Sequence, residues 1–370
     1  MFYINHIGWF MNITYADMKV LFVTSSLSGG GAERVLTTVA NYLKKNGAIV
    51  EVLKTSPRIK ENYGLDSDIP IIQLPKIHAN VVSKAFLMIR NIRKVFLEHK
   101  GYVIISFLSD NNMLSILASR GLRNKLIISE RSDPSRNCGN KYLRWIRNQL
   151  YLLADWNVFQ TEDAKNYFCQ SIQRRSSIIP NPIFMEEEQN SHAILPEKTV
   201  IAVGRLTPQK NYPMLIRAFD IFHQAHPEYK LRIFGDGPLK NEIMELIETC
   251  GLRECVQLRG FTKEIYDEMK KSTVYVSSSD YEGISNTMLE ALALGVPTIV
   301  TDCPVGGGRL AIEDGVNGFL VPVGDSEKLA EKLCQLVEDE PLRNRFAHNS
   351  QAIKERFSVE RICGMWEEII

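Results

Sequence analysis

Two stretches of this sequence gather residues able to hold a charged, hydroxyl-rich ligand. The first is Ser278-Ser279-Asp280-Tyr281-Glu282-Gly283-Ile284-Ser285-Asn286-Thr287-Met288-Leu289-Glu290. It follows Thr273-Val274-Tyr275-Val276-Ser277, which is short, β-branched and aromatic and reads as a buried strand. It runs into a Leu-, Met- and Ala-rich segment from Asn286 to Leu294 that reads as a helix closed by Gly295 and Pro297. A strand, a polar loop and a helix start make an anion site, because the first amides of a helix have no partner inside it and its dipole adds positive potential. Glu282 in the loop and Glu290 a little over two turns into the helix put carboxylates beside that site, where sugar hydroxyls are the groups they would accept from. Taken alone, such a pair reads first as solvated helix-end charge, so it needs support elsewhere.

That support lies at the start of the same half of the chain. Val200-Ile201-Ala202-Val203 reads as a strand, followed by Gly204-Arg205-Leu206-Thr207-Pro208-Gln209-Lys210-Asn211 and a helix beginning near Tyr212-Pro213. Arg205 offers a planar fork for phosphate oxygens and Lys210 a mobile point charge. Phosphate-binding cations at one strand end, and a helix start with carboxylates at another, suit a nucleoside-diphosphate sugar.

The elements that must position these residues alternate strand and helix, which argues for parallel sheets. Expected strands of the first half are 19–24, 49–53, 103–106, 126–129, 156–160 and 177–179; those of the second are 200–203, 231–234, 256–258, 274–277, 298–301 and 318–321. At 370 residues the chain is long enough for two domains. Pro180-Asn181-Pro182 and the polar run Glu186-Glu187-Glu188-Gln189-Asn190-Ser191 mark a linker. The expected division is 18–182 for an N-terminal domain, 183–196 for the linker, 197–356 for a C-terminal domain and 357–370 for a final helix. Residues 1–17 stand apart: they are apolar without a basic start or cleavage site, and Met18-Lys19-Val20-Leu21-Phe22-Val23-Thr24 reads as a natural opening strand. Translation from Met18 is the expectation, a short membrane-touching extension the alternative.

Together, Gly204-Arg205-x4-Lys210, Gly235-Asp236-Gly237-Pro238 and Glu282-x7-Glu290 resemble the motif set of the retaining glycosyltransferases of family 4, from about Met18 to the C-terminus. The resemblance implies the GT-B fold: an α/β protein with two Rossmann-like domains, their parallel sheets facing across a cleft, the first for acceptor and the second for the nucleotide sugar. It implies that Arg205 and Lys210 hold the donor diphosphate, that Glu290 binds the ribose, and that Glu282 faces the transferred sugar; Glu282, Arg205 and Lys210 are thus the expected catalytic set. Gly204 and the backbone of Gly283, Ile284, Ser285, Asn286 and Thr287 would complete the donor site. Many members read Glu-Gly-Phe-Gly-Leu-Pro in that loop; the Glu282-Gly283-Ile284-Ser285-Asn286-Thr287 variant is similar to bacterial capsule and O-antigen enzymes. The implied reaction moves a sugar from a nucleotide-diphosphate sugar, UDP-linked by expectation, to a glycan or polyprenyl-diphosphate-linked sugar in cell-surface polysaccharide synthesis. Competing readings are a sugar-nucleotide epimerase on the same architecture and a non-catalytic GT-B partner subunit.

In the first half, Gly29-Gly30-Gly31 precedes a helix from Ala32 to Asn46. Arg34 fills the third position of a dinucleotide fingerprint, and Lys54 and Thr55 stand where a ribose-binding acid would be, which argues against NAD. In the family this loop borders the cleft, so Gly30 and Gly31 join the donor-binding candidates; a tight turn explains them equally. Glu130-Arg131-Ser132-Asp133-Pro134 follows the 126–129 strand. Several related enzymes carry a His in this loop that contacts the sugar, and here Arg131 stands there, so that role does not transfer. Glu130, Arg131 and Asp133 are candidates for the acceptor side, or for a turn before Pro134.

No metal and no cofactor are expected. Asp66-Ser67-Asp68 reads as turn chemistry, and no other His, Cys or carboxylate cluster is apparent in the sequence. Gly306-Gly307-Gly308-Arg309 sits in another strand-to-helix loop, as a donor contact or a plain loop. Seven scattered Cys read as reduced thiols of a cytoplasmic protein, and the formal net charge of +1 gives no case for nucleic acid. Helices at 83–100 and 141–156 mix basic with aromatic and aliphatic residues, the latter with Lys141, Arg144 and Arg147. They read as ordinary amphipathic packing helices or as contacts with an anionic membrane, on the inner face of the plasma membrane.

Overall fold

The computed structural model describes residues 15–28, 30–56, 64–183 and 196–370. Gly29, residues 1–14 of the N-terminal extension and most of the expected linker lie outside the described residues. The first sheet holds β1 (Lys19–Thr24), β2 (Ile49–Lys54), β3 (Ile71–Gln73), β4 (Val103–Phe107), β5 (Leu126–Ser129), β6 (Trp156–Phe159) and β7 (Ser176–Ile178), in the order β3-β2-β1-β4-β5-β6-β7. The second holds β8 (Glu197–Val203), β9 (Lys230–Phe234), β10 (Val256–Gly260), β11 (Ser272–Ser277), β12 (Thr298–Thr301) and β13 (Phe319–Val321), in the order β10-β9-β8-β11-β12-β13. Every described pairing is parallel. Both are Rossmann-like α/β sheets. Their strands are near-continuous runs of Val, Ile and Leu because both faces are covered by helices.

Strand order says where ligands belong. In the second sheet the chain leaves β8 towards β9 and β10 on one side, then returns to β11 on the other. The β8–β11 boundary is therefore a topological switch point, and open α/β sheets bind ligands outside the carboxyl ends of the strands there. The first sheet has the same switch between β1 and β4.

The chain divides into two compact units, Met1–Ser129, Trp145–Asn157 and Cys363–Ile370 in one, Glu130–Arg144 and Val158–Ile362 in the other. Residues 130–144 and 158–182, assigned by sequence to the first domain, group with the second unit because they bond to its loops: Thr161 Oγ1 donates to Val305 O at 2.7 Å, and Asn181 Nδ2 to Ile284 O at 3.0 Å. The final helix is Val359–Glu367; Trp366, fully buried in the first unit, stacks on Phe107 with ring centroids 5.7 Å apart.

Two helices differ from expectation. The one expected over 141–156 ends as Lys141–Tyr151, because Asp155 turns the chain into β6: its Oδ2 accepts from Leu126 N at 2.7 Å and its amide donates to Leu126 O at 3.1 Å. Arg147, read as a basic surface residue, is fully buried and bonds Asn148 Oδ1 at 2.9 and 3.1 Å. The helix Ser109–Ser119 escaped the sequence reading because its inward face is polar. Asn111, Asn112 and Ser115 are buried and hydrogen-bonded to Ser25, Tyr151 and Ser106 respectively.

Burial of Trp366 yields a stability prediction. Trp366→Ala should destabilise the first unit by about 3–5 kcal/mol through lost transfer and cavity terms, whereas Trp366→Phe should lose far less. Scanning calorimetry of the two variants reads the difference.

Candidate active site

The loop after β8 and the loop after β11 are joined along their length. Ser278 Oγ donates to Lys210 O at 2.9 Å and Asn211 O at 3.0 Å. Asp280 N donates to Gln209 O at 2.9 Å, and Gln209 Nε2 returns a bond to Tyr281 O at 2.9 Å. Asn211 Nδ2 donates to Asp280 Oδ1 at 2.6 Å while its Oδ1 caps the Tyr212–Ala225 helix at Met214 N. Asn211 sits at φ 41°, a left-handed conformation that Asn tolerates better than most residues.

The seam ends in an ion pair: Lys210 Nζ contacts Glu282 Oε2, which also accepts from Ser279 Oγ at 3.0 Å. Burial opposes the charge on Lys210, and Glu282 outweighs it, so the ammonium holds its proton more tightly than an ordinary lysine. Burial, then Glu282, pushes the neighbouring Cys303 thiol up to about 12, which keeps it neutral. Arg205 is exposed, and its guanidinium has no side-chain partner among the described residues.

Glycine is required where these loops meet others. Gly235 has φ +133°, and a Cβ there would lie 2.0 Å from Gly204 O. That fixes the Gly-Asp-Gly-Pro loop against the β8 loop, where Leu206 N donates to Asp236 O at 3.0 Å. At Gly283 a Cβ would lie 2.0 Å from Gln160 Oε1, and Gly307 packs so close that its own Cβ would meet Gly283 O at 1.7 Å. The triglycine 306–308 is therefore a packing surface for the Glu282 loop, and Arg309 pins it by ion pairs of 2.6 Å to Asp163 and Asp302.

The Asn286–Ala293 helix starts from Ser285, whose side chain caps Met288 N. Thr287 Oγ1 reaches back to Val203 O at 3.3 Å and bonds the Tyr275 hydroxyl at 2.8 Å. Ile284 is buried. Beneath the loop lies Asn181, 3% exposed: it donates to Ile284 O at 3.0 Å and Asn286 Oδ1 at 2.6 Å, and accepts from Gln160 Nε2 at 2.6 Å and Arg131 Nη1 at 3.3 Å. Glu290 is 2% exposed, with the Tyr266 hydroxyl 3.4 Å from its Oε1.

Folding thus brings Gly204, Lys210, Glu282, Gly283, Ile284, Ser285, Asn286 and Thr287 into one structure at the switch point. Three residues offered for the acceptor side are engaged in hydrogen bonds within the protein. Arg131 donates to Ile179 O and Asn181, and burial lowers its pKa to about 9. Glu130 accepts from Asn137 at 3.1 Å, and Asp133 from Ser135 at 2.7 Å. Gly30 and Gly31 begin the Gly31–Lys45 helix after β1, where Glu33 accepts from Gly30 N at 2.8 Å. Asp66 and Asp68 form an exposed turn, with Asp68 N on Asp66 Oδ1 at 3.0 Å. The sequence reading gave no role to Asn181, Gln160, Ser278 or Ser279, although Ser278 and Ser279 open the 278–290 stretch and Asn181 lies in the Pro180-Asn181-Pro182 break. It also saw no metal-ligand cluster, yet His226, Cys334 and Glu338 converge elsewhere in the second unit.

Two sequence profiles match the chain in tandem: Glycosyltransferase Family 4 over residues 29–187 and Glycosyl transferases group 1 over residues 184–353. The chain belongs to the family 4, group 1 glycosyltransferases. This glycosyltransferase is 28% identical over 359 residues to the GalNAc-alpha-(1->4)-GalNAc-alpha-(1->3)-diNAcBac-PP-undecaprenol alpha-1,4-N-acetyl-D-galactosaminyltransferase of Campylobacter jejuni, covering 95% of this chain and 98% of that one. It is 28% identical to the amylovoran biosynthesis glycosyltransferase AmsD of Erwinia amylovora, covering 95% and 99%. Among solved structures, Anabaena HepE in complex with UDP and glucose superposes with a TM-score of 0.81 at 22% identity, covering 95% of this chain and 99% of that one. That likeness shows the GT-B fold.

Asn181 generates a test of the loop architecture. Asn181→Ala leaves Ile284 O and Asn286 Oδ1 short of a buried donor, a loss of about 1–3 kcal/mol. Amides of residues 283–287 should then exchange hydrogen faster than in the wild type, while those of β11 should not. Unchanged exchange in the loop would show that Asn181 does not hold it.

Proposed function

We propose that this glycosyltransferase transfers a sugar from a UDP-linked donor to a glycan or polyprenyl-diphosphate-linked sugar in cell-surface polysaccharide synthesis, with retention of configuration and no metal in the reaction. The pairing of Lys210 with Glu282 across the β8–β11 switch, beside the start of the 286–293 helix, carries this reading. The Campylobacter relative, named for an undecaprenol-diphosphate glycan, and HepE, crystallised with UDP, support the acceptor and donor classes.

In this reading Arg205 and Lys210 take the donor diphosphate with the helix start, Glu290 takes the ribose, and Glu282 faces the sugar. As the bond from the anomeric carbon to the phosphate oxygen breaks, its electron pair leaves with the nucleoside diphosphate. Arg205, Lys210 and the helix dipole stabilise that growing negative charge. The acceptor oxygen forms its bond on the same face, and a phosphate oxygen of the leaving group takes its proton. No side-chain base is required.

The acceptor's lipid places the reaction at a membrane. The Val81–Glu98 helix buries Ile92, Val95 and Phe96 only in its second half, whereas Val81, Val82 and Phe86 are 68–85% exposed beside Lys84 and Arg90. The Lys141–Tyr151 helix exposes Tyr142 and Trp145 beside Lys141. Apolar and basic groups on one helix suit an anionic bilayer surface. No helix among the described residues is long and apolar enough to cross a membrane.

Arg205→Ala and Lys210→Ala should each lower turnover by about 10²–10³-fold, the loss for one charge-stabilising donor. With donor alone, the wild type should slowly release free sugar and nucleoside diphosphate; a new sugar nucleotide would mean epimerisation, and no donor binding a non-catalytic subunit. Near-normal turnover in either variant removes that residue from the site.

For the membrane contact, the protein should bind anionic vesicles more than neutral ones, with binding weakened by salt because exposed charges are screened beyond about 8–10 Å. Phe86→Ser should reduce it. Equal binding to neutral vesicles, or none to either, would make these helices packing elements.

A further inference from the structure

We infer that His226, Cys334 and Glu338 form a binding site for one divalent transition-metal ion of the zinc class, separate from the glycosyl-transfer site. His226 caps the C-terminal end of the Tyr212–Ala225 helix, and Glu338 is the last residue of the Ser326–Glu338 helix, with Cys334 one turn earlier on the same face. These two helices pack against each other over β8–β13. The three ligand atoms lie within 4.8 Å of one another, and His226 Nε2 is 3.1 Å from Glu338 Oε1. Tetrahedral zinc with bonds of about 2.0–2.3 Å needs donor atoms roughly 3.3–3.7 Å apart, so sub-ångström to ångström side-chain shifts suffice.

The chemistry of the donors fits. One imidazole nitrogen, one thiol sulfur and one carboxylate oxygen are a zinc-type set that leaves a fourth position to water. The imidazole is already oriented: its ring stacks on Phe222 at 5.0 Å and meets Tyr229 edge-on at 6.1 Å. Two helix C-termini converge there, each presenting the negative end of its dipole, which favours a cation. Binding exchanges the Cys334 proton for the metal–sulfur bond and requires neutral His226, so affinity should fall as pH is lowered.

The site is remote from the chemistry. The 212–225 helix starts next to Lys210 and its 14 residues span about 21 Å. The ion would clamp the far ends of two helices, and its presence is independent of which sugar the enzyme moves.

Full-length protein stripped of metal with a chelator, then titrated, tests this. Zinc should bind at one equivalent by calorimetry. Cobalt(II) should produce near-ultraviolet thiolate-to-cobalt charge-transfer absorption that disappears in Cys334→Ser and persists in Cys169→Ser, an exposed control. Glu338→Gln, at an exposed position whose change cannot disturb the core, should weaken zinc by about tenfold or more, since even outer-shell losses cost 10–100-fold. Absence of stoichiometric zinc binding, a cobalt thiolate band that survives in Cys334→Ser, or wild-type affinity in Glu338→Gln would overturn the site and leave only the His226–Glu338 hydrogen bond.

Discussion

The Lys210–Glu282 ion pair is the constraint on which the site depends. Neither charge is well solvated: the side chains are 15% and 20% exposed. Glu282 favours the charged form of Lys210, and removing either partner leaves the other in a poorly solvated position without its counter-charge. The pair closes a seam in which Ser278, Gln209, Asn211 and Asp280 have already tied the β8 and β11 loops together. The group proposed to meet a phosphate and the group proposed to meet a sugar are thereby held as one unit rather than as two independent loops. The strand order makes this contact local: β8 and β11 are neighbours in space although some seventy residues separate Lys210 from Glu282.

The second layer of the design is steric. Gly283 is pressed between Gln160 and Gly307, and Gly235 against Gly204, leaving no room for side chains at the seams. The polar floor under Gly283 is Asn181, fed by Gln160 and Arg131, all buried and hydrogen-bonded. A buried hydrogen-bond network of this kind favours one loop conformation where an apolar floor would allow several. The 286–293 helix therefore begins from a position set by side chains up to some 150 residues away in sequence.

Much of this was legible in the sequence, for physical reasons. Strands β1, β5 and β12 were placed to the residue because doubly covered parallel strands are short apolar runs bounded by polar loops. Gly204, Lys210, Glu282 and Asn286 were singled out because strand-to-helix loops are where such sheets bind ligands, and the fold brings them together at the β8–β11 switch. What periodicity missed is polar and buried. The 109–119 helix hides Asn111 and Asn112 inside, and Arg147 lies in the core of its helix face, so the binary pattern misleads at those positions. Asn181 and Gln160 were invisible because their partners lie far along the chain. The same distance concealed His226 from Cys334 and Glu338. Of the acceptor-side candidates, Glu130 and Asp133 bond within their own loop, to Asn137 and Ser135, while Arg131 reaches Ile179 and Asn181, partners too far along the chain for the sequence to show.

The central claim is that Glu282 and Glu290 divide one bound donor between them, sugar and ribose. A ribose contact is present in both bound and transition states, so its loss weakens binding; a contact to the sugar, where positive character develops, acts chiefly on turnover. Calorimetry of UDP binding to Glu282→Gln and Glu290→Gln measures this most directly. UDP affinity should fall in Glu290→Gln and stay near the wild-type value in Glu282→Gln. Loss of UDP binding in Glu282→Gln with full retention in Glu290→Gln would contradict the assignment.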